Sequence, residues 1–157
     1  MDKDHLFMQK AIEIAKYAET LGEVPIAAII VKDDKIIASG YNRRELDGDP
    51  TAHAEIVAIR KAAEVIGNWR LEGCTIYVTV EPCVMCSGAL WLSRIERCVF
   101  GCKEPRAGFL GSIGNISQLK ELNHHYEIRG EVLSDECATV LRTFFRRIRH
   151  AKKQKMG

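Results

Sequence analysis

Two short stretches of the chain concentrate the residue types that bind metals and move protons: His53-Ala54-Glu55 and Pro82-Cys83-Val84-Met85-Cys86. Cys83 and Cys86 stand at i and i+3, so at the start of a helix their sulfurs converge on one side. Two thiolates and one imidazole make a tetrahedral zinc set with the fourth position open, which is how a catalytic site differs from a closed structural one. A helix N-terminus also presents free N–H groups and a partial positive charge, which favours thiolate over thiol. Each part has a plainer reading. A CxxC pair also serves in structural zinc sites and as a redox couple, and a lone His is often a core or surface residue. A redox couple, however, has no need of His53 and Glu55.

Glu55 separates structural from catalytic zinc. Residues two apart on a regular helix point about 200° apart, at about 100° per residue. His53 and Glu55 therefore share a site only if it lies just beyond the helix N-terminus, within reach of the first turn. A carboxylate there, beside a zinc-bound water, can take and return protons, and zinc brings the pKa of that water toward roughly 7. With two thiolates and a neutral imidazole the metal centre is formally uncharged, and hydroxide makes it anionic. Two helix ends help to tolerate that charge.

The elements that must position these residues follow from periodicity. Residues 5–21 place Leu6, Ala11, Ile12, Ala15, Ala18 and Leu21 at helical spacing, and Gly22 ends that helix. Residues 25–31 and 35–39 are β-rich runs joined by a tight Lys32-Asp33-Asp34 hairpin. A polar loop over 41–50 leads to a second helix over 51–66, started at Pro50 or Thr51 and stopped by Gly67-Asn68. Residues 74–80 form the most strand-like run. Pro82 opens a third helix to about Ser93, and 97–101 is another strand. The glycine-containing segment 103–114 reads as a loop, with a short helix after it up to about Leu122 and a last strand over 126–129. Ser134 caps a final helix over about 135–153, with Asp135 and Glu136 in its first turn. A hairpin followed by alternating helices and strands predicts an α/β domain: a three-layer α-β-α sandwich around a mixed, roughly five-stranded sheet. Both chemical motifs open helices that follow strand ends or loops, in the crevice where open α/β sheets bind ligands.

The chain has 157 residues, 46% of them hydrophobic, a length that suits one domain over 1–157. The longest apolar run, 25–31, is far too short to span a bilayer, and the first residues lack the basic start and apolar stretch of a signal peptide. Six cysteines are too sparse for a disulfide scaffold, so the expected setting is the cytoplasm, with reduced thiols. The formal charge of +2 conceals an uneven distribution. Arg142, Arg146, Arg147, Arg149, Lys152, Lys153 and Lys155 crowd the C-terminus with no acid among them, while the preceding 141 residues carry 16 basic and 21 acidic groups. Such an end suits an anionic partner, nucleic acid among them, or is simply a solvated basic helix end.

The joint pattern H-x-E…P-C-x-x-C resembles the cytidine deaminase-like superfamily of zinc deaminases. More narrowly the chain looks like the bacterial tRNA-specific adenosine deaminases, which turn the wobble adenosine of an anticodon into inosine. The stretches carrying the likeness run almost the whole length: Gly22-Glu23-Val24-Pro25, Tyr41-Asn42-Arg43, residues 49–55, Asn68-Trp69-Arg70-Leu71, residues 81–87, Asn123-His124 and Phe144-Phe145-Arg146. The resemblance implies His53, Cys83 and Cys86 as ligands of one zinc ion per subunit and Glu55 as the proton shuttle. It makes Asn42 the residue that holds the purine. It also implies a homodimer, with Trp91 and Leu92 as contact residues or as core. The substrate would be a splayed base of an anticodon stem-loop, since a base within a stem could not reach such a pocket. Arg146, Arg147 and Arg149 would then hold phosphates. Phe144 and Phe145 would stack on bases or belong to the core, because Cys137, Val140, Leu141, Phe144, Phe145 and Ile148 follow helical spacing. Where the family loop after the fourth strand usually has Asp, this chain has Glu104, with the bulk of Phe109-Leu110 beyond it. If that acid faces the substrate ribose, its reach has changed. Cys74, Cys98, Cys102 and Cys137 read as structural or incidental thiols.

Two rival readings remain. A deaminase of a free base, such as guanine or cytosine, would share the zinc set and Glu55 without needing a basic terminal helix. A zinc-stabilised RNA-binding module without catalysis would have no need of a non-ligand carboxylate at the position of Glu55.

Overall fold

The computed structural model describes residues 2–156. Strands β1 (Ala27–Lys32) and β2 (Lys35–Tyr41) form an antiparallel hairpin. Its turn holds Asp33 and Asp34 at φ 50° and 60°, the left-handed pair that a two-residue hairpin loop demands. On its other side β1 pairs antiparallel with β3 (Cys74–Val80), and β4 (Arg97–Cys102) and β5 (Glu127–Arg129) continue the sheet in parallel. The strand order is β2-β1-β3-β4-β5, a mixed five-stranded sheet.

The central strands are apolar at successive positions because both their faces are covered. Ala28, Ile30, Ile76, Val78, Cys98 and Phe100 face one core, while Ile29, Val31, Tyr77 and Val99 face the other. Helices α3 (Ala54–Ile66) and α4 (Val84–Leu92) cover the first face through Ala54, Ala58, Ala62 and Leu90. Helices α1 (Lys3–Thr20) and α5 (Ser134–Met156) cover the second through Met8, Ala11, Ile12 and Cys137. The result is the three-layer α-β-α sandwich that the alternation of elements implies. No helix among the described residues is long and apolar enough to cross a membrane.

Several elements differ from the periodicity reading. The second helix begins at Ala54, not Thr51, because the Asp49 carboxylate captures the Thr51 N–H and hydroxyl at 2.8 and 2.7 Å and locks a turn there. The third helix begins at Val84, not Pro82. The Pro82 carbonyl accepts from the Phe109 N–H at 2.8 Å, and Cys83 bridges to Gly108, so this stretch stays extended. The polar loop over 41–50 contains one helical turn, α2 (Arg44–Asp47), and the short helix expected up to Leu122 is a single 3-10 turn, Ile116–Gln118. Helix α5 runs to Met156, since nothing after Arg149 breaks a helix.

Candidate active site

The connections gather at one end of the sheet. Because β1 runs antiparallel to β3 and β2, the start of β1, the end of β2 and the end of β3 lie together, next to the end of β4. Residues just outside those four ends (Val24, Asn42, Glu81 and Glu104) line a cleft of about 270 Å³ whose floor is made by His53, Glu55 and Cys83. Gly40 brings α3 against β2: a Cβ there would lie 2.7 Å from the Ala54 carbonyl oxygen and 2.8 Å from the Ala58 nitrogen. That close approach sets the N-terminus of α3 against the strand ends.

His53 and Cys83 occupy equivalent places, each extended and each directly preceding the first residue of its helix. The His53 Nδ1 lies 3.7 Å from the Cys83 sulfur and 3.6 Å from the Cys86 sulfur. A tetrahedral zinc with its usual bond lengths requires about 3.6 Å between such a nitrogen and each sulfur. All three donor atoms lie within 4.8 Å of one another, so the residues fit zinc in spacing as well as in chemistry. Glu55, one residue into α3, is buried at the cleft floor. Burial pushes its carboxyl up to about 7, and the nearby Cys83 adds to the shift. Cys83 is driven down to about 4, chiefly by the hydrogen bond from Cys86 and then by His53. Cys86 is raised by the same contact with Cys83 and by its burial. Hydrogen bonding to Cys83 raises His53. Of the two sulfurs, Cys83 is thus the one its surroundings favour as thiolate, facing a histidine and a buried acid.

The chain matches the model of the cytidine and deoxycytidylate deaminase zinc-binding region over residues 1–102, a span that contains all three zinc donors and Glu55. It is 47% identical over 153 residues to the tRNA-specific adenosine deaminase of Bacillus subtilis (strain 168), covering 98% of this chain and 95% of that one. The chain belongs to the family of tRNA-specific adenosine deaminases. The enzyme of that name from Haemophilus influenzae (strain ATCC 51907 / DSM 11121 / KW20 / Rd) is 45% identical over 151 residues, 96% of this chain and 87% of its own. Among solved structures, one from studies of A-to-I editing by tRNA:A34 deaminases at the wobble position superimposes with a TM-score of 0.80 at 36% identity, covering 86% of this chain and 98% of that one. As in the zinc-dependent deaminases generally, the chemistry is hydrolytic and zinc is the cofactor, and His53, Cys83 and Cys86 form the group that could hold it.

Within this deaminase the structure sorts the other expected residues. Asn42, Glu104 and Phe145 line the cleft, whereas Arg146, Arg147 and Arg149 do not. The three arginines stand exposed on α5, and Arg147 turns toward α1, where it pairs with Glu19 at 2.8 Å. Phe144 is buried, while Phe145 is 42% exposed and edge-on to it at a centroid distance of 5.3 Å. Trp91 is half-buried against the α3–α4 core, and Leu92 is exposed. Cys74, Cys98, Cys102 and Cys137 are all buried away from the donor set.

Two buried acids that sequence reasoning left without a role shape the walls of the cleft. The Glu81 carboxylate accepts from the N–H groups of Glu104, Leu110 and Ser112 at 3.0–3.1 Å and from the Ser112 hydroxyl. Burial raises its pKa, but these donors outweigh burial and hold the carboxyl below its ordinary value. Gly108 packs so closely on this carboxylate that no Cβ fits. Glu23, fully buried, accepts from the Asn42 amide and from the backbone N–H groups of Glu45 and Leu46. The available signal was an acid flanked by a valine and a proline close to a strand end, Glu23-Val24-Pro25 and Val80-Glu81-Pro82.

Proposed function

We propose that this protein converts adenosine to inosine at the wobble position of a tRNA anticodon by zinc-dependent hydrolytic deamination, with the whole chain acting as one deaminase domain. The observation that carries the reading is Glu55, buried at the cleft floor beside three donors at zinc spacing. Neither a structural zinc site nor a redox pair needs that acid. His53, Cys83 and Cys86 would hold the metal, which supplies the Lewis acidity that makes a water molecule nucleophilic near neutral pH. Glu55 accepts the proton of the attacking water as its oxygen adds to C6 of the adenine, and delivers that proton to the ring nitrogen. The remaining hydroxyl proton then passes by way of Glu55 to the amine. The C6–N bond breaks, ammonia leaves and the C6 carbonyl of inosine forms.

Asn42 holds the purine, and Glu104 faces the sugar side of the cleft. Phe145, exposed at the cleft edge, stacks on a base of the opened loop. Arg146, Arg147 and Arg149 grip phosphates of the anticodon stem-loop along α5. The Arg147–Glu19 pair is solvent-exposed on the arginine side and is readily exchanged for a phosphate. The acidic body confines the RNA contact to the cleft edge and the last helix. A cytoplasmic homodimer completes the reading, with Trp91 and Leu92 of α4 at the subunit contact.

The test offers purified zinc-loaded protein an anticodon stem-loop with a wobble adenosine, alongside free adenine, guanine and cytosine. Inosine in the RNA, with the bases untouched, is the expected result. Turnover of a free base with unmodified RNA would overturn the substrate assignment.

A further inference from the structure

We infer that Glu23 is a positioning residue for the reaction: its buried carboxylate sets which way the Asn42 amide faces the cleft. The inference rests on the reading of Asn42 as the residue that holds the purine.

Glu23 is fully buried, 19 positions before Asn42 in the chain. Its Oε1 accepts from the Asn42 Nδ2 at 3.4 Å and from the Glu45 N–H at 3.3 Å, and its Oε2 accepts from the Leu46 N–H at 2.7 Å. A buried carboxylic acid without donors would be expensive, so these three partners explain how the group is tolerated. They do more than satisfy it. An ionised carboxylate only accepts hydrogen bonds, and an asparagine amide has one donating and one accepting end. Turning the Asn42 amide over would set its oxygen against the Glu23 oxygen, so the nitrogen is held toward Glu23. The second Nδ2 hydrogen and Oδ1 are left for the cleft, which Asn42 lines; no other hydrogen bond holds its side chain among the described residues. The backbone keeps the amide in place, since the Asn42 N–H donates to the Ile26 carbonyl at 3.0 Å.

The same carboxylate accepts from two successive N–H groups of α2, the turn that carries Arg44 to the cleft. Glu23 therefore ties the base-holding amide to the adjoining wall. A neutral isostere breaks this arrangement without changing its volume. In glutamine one of the two oxygens becomes an NH2 group. At the Oε2 position it would oppose the Leu46 N–H held at 2.7 Å, so it takes the Oε1 position, where it opposes only the longer Glu45 contact and the Asn42 amide turns over to meet it.

The experiment is a double-mutant cycle on zinc-loaded enzyme with the wobble-adenosine stem-loop, using Glu23→Gln, Asn42→Ala and the pair together. Metal content and thermal unfolding are recorded for each variant. Misplacement of a substrate-holding group predicts that Glu23→Gln lowers kcat/KM about 10- to 100-fold. In the Asn42→Ala background the same change should cost less than about 3-fold, because the amide it orients is gone. Full multiplicative loss in both backgrounds would overturn the inference and make Glu23 merely structural. An unaltered kcat/KM for Asn42→Ala alone would instead sink the reading of Asn42. Should Glu23→Gln fail to fold, the side-chain amide signal of Asn42 in the unmutated enzyme decides by nuclear magnetic resonance. Its two protons should be well separated, with the hydrogen-bonded one downfield, and the free-amide pattern would refute the contact without any substrate present.

Discussion

Glu81→Gln is the sharpest probe of how the cleft is built. Glutamine keeps the volume of the side chain but replaces one accepting oxygen by a donor. The Glu81 carboxylate is buried and serves four donors, all from the loop after β4. In the better orientation the amide oxygen stays on Leu110 and Ser112, and the Ser112 hydroxyl rotates to accept. The Glu104 N–H then faces an N–H, and the two surviving bonds lose their charge. Hydrogen bonds to a charged group contribute about 1.5–3 kcal/mol, and neutral ones about 1. One lost and two weakened bonds amount to about 3 kcal/mol, allowing for some relaxation. For a domain of this size that lowers Tm by roughly 6–12 °C. The variant should keep its zinc, since Glu81 is not among the donors. It should lose about 10-fold or more in kcat/KM, because Glu104 and Ala107 on the cleft wall ride on the loosened loop. Thermal unfolding, metal analysis and inosine formation from the stem-loop provide the readouts. A Tm within about 2 °C of the parent would refute the reasoning that this carboxylate organises the loop.

Glu55→Gln should retain zinc and lose turnover by about 10²- to 10⁴-fold, the range for a positioned acid–base group, measured as inosine formed per bound metal. Full activity in that variant would remove Glu55 from the proton path. Arg146→Gln with Arg149→Gln should weaken RNA binding and reduce the slope of log K against log salt by about 1.5–2, read from binding isotherms at several salt concentrations; an unchanged slope returns α5 to an ordinary solvated helix. Asp4, at the other end of the sheet, accepts from Tyr77 at 2.7 Å and from Arg97 and Arg129 at 2.6–2.8 Å, and the Arg97 hydrogen bond leads in holding its carboxyl well below the usual range. Asp4→Asn should cost about 2–3 kcal/mol near neutral pH, less than for a fully buried pair because both arginines can rehydrate. Since the folded pKa is depressed, this stability is present above about pH 4 and is lost as the pH falls toward the folded value, so parent and variant should converge in acid unfolding curves. A difference that persists undiminished below about pH 2 would contradict the assignment.

The sheet and the zinc set were legible in the sequence for local reasons. Strands covered on both faces are apolar at nearly every position, as in Ala27–Lys32 and Cys74–Val80, and the paired aspartates at 33 and 34 mark a turn that needs two left-handed residues. The i, i+3 cysteines converge whatever lies around them, and His53 and Glu55 converge only beyond a helix start, which is where the fold puts them. The helix starts themselves were less legible, because competing partners took the earlier backbone groups. Asp49 holds Thr51 in a turn, and the Phe109 N–H from the loop after β4 takes the Pro82 carbonyl.

What the sequence by itself supplied, then, is the candidate chemistry: the donor types that suit zinc, an acid placed to move a proton, and their position at helix starts. Tertiary structure alone decided what surrounds them. Periodicity placed Phe144 and Phe145 on one helical face, but adjacent residues point about 100° apart, so the seating of α5 buries the first and turns the second to the cleft. The same seating sends Arg147 toward Glu19, away from the cleft. Glu23 and Glu81 are single acids in the sequence, and their roles come from donors 19 to 31 residues away. A buried charge is defined by the partners that compensate it, and only the folded chain brings those partners within reach.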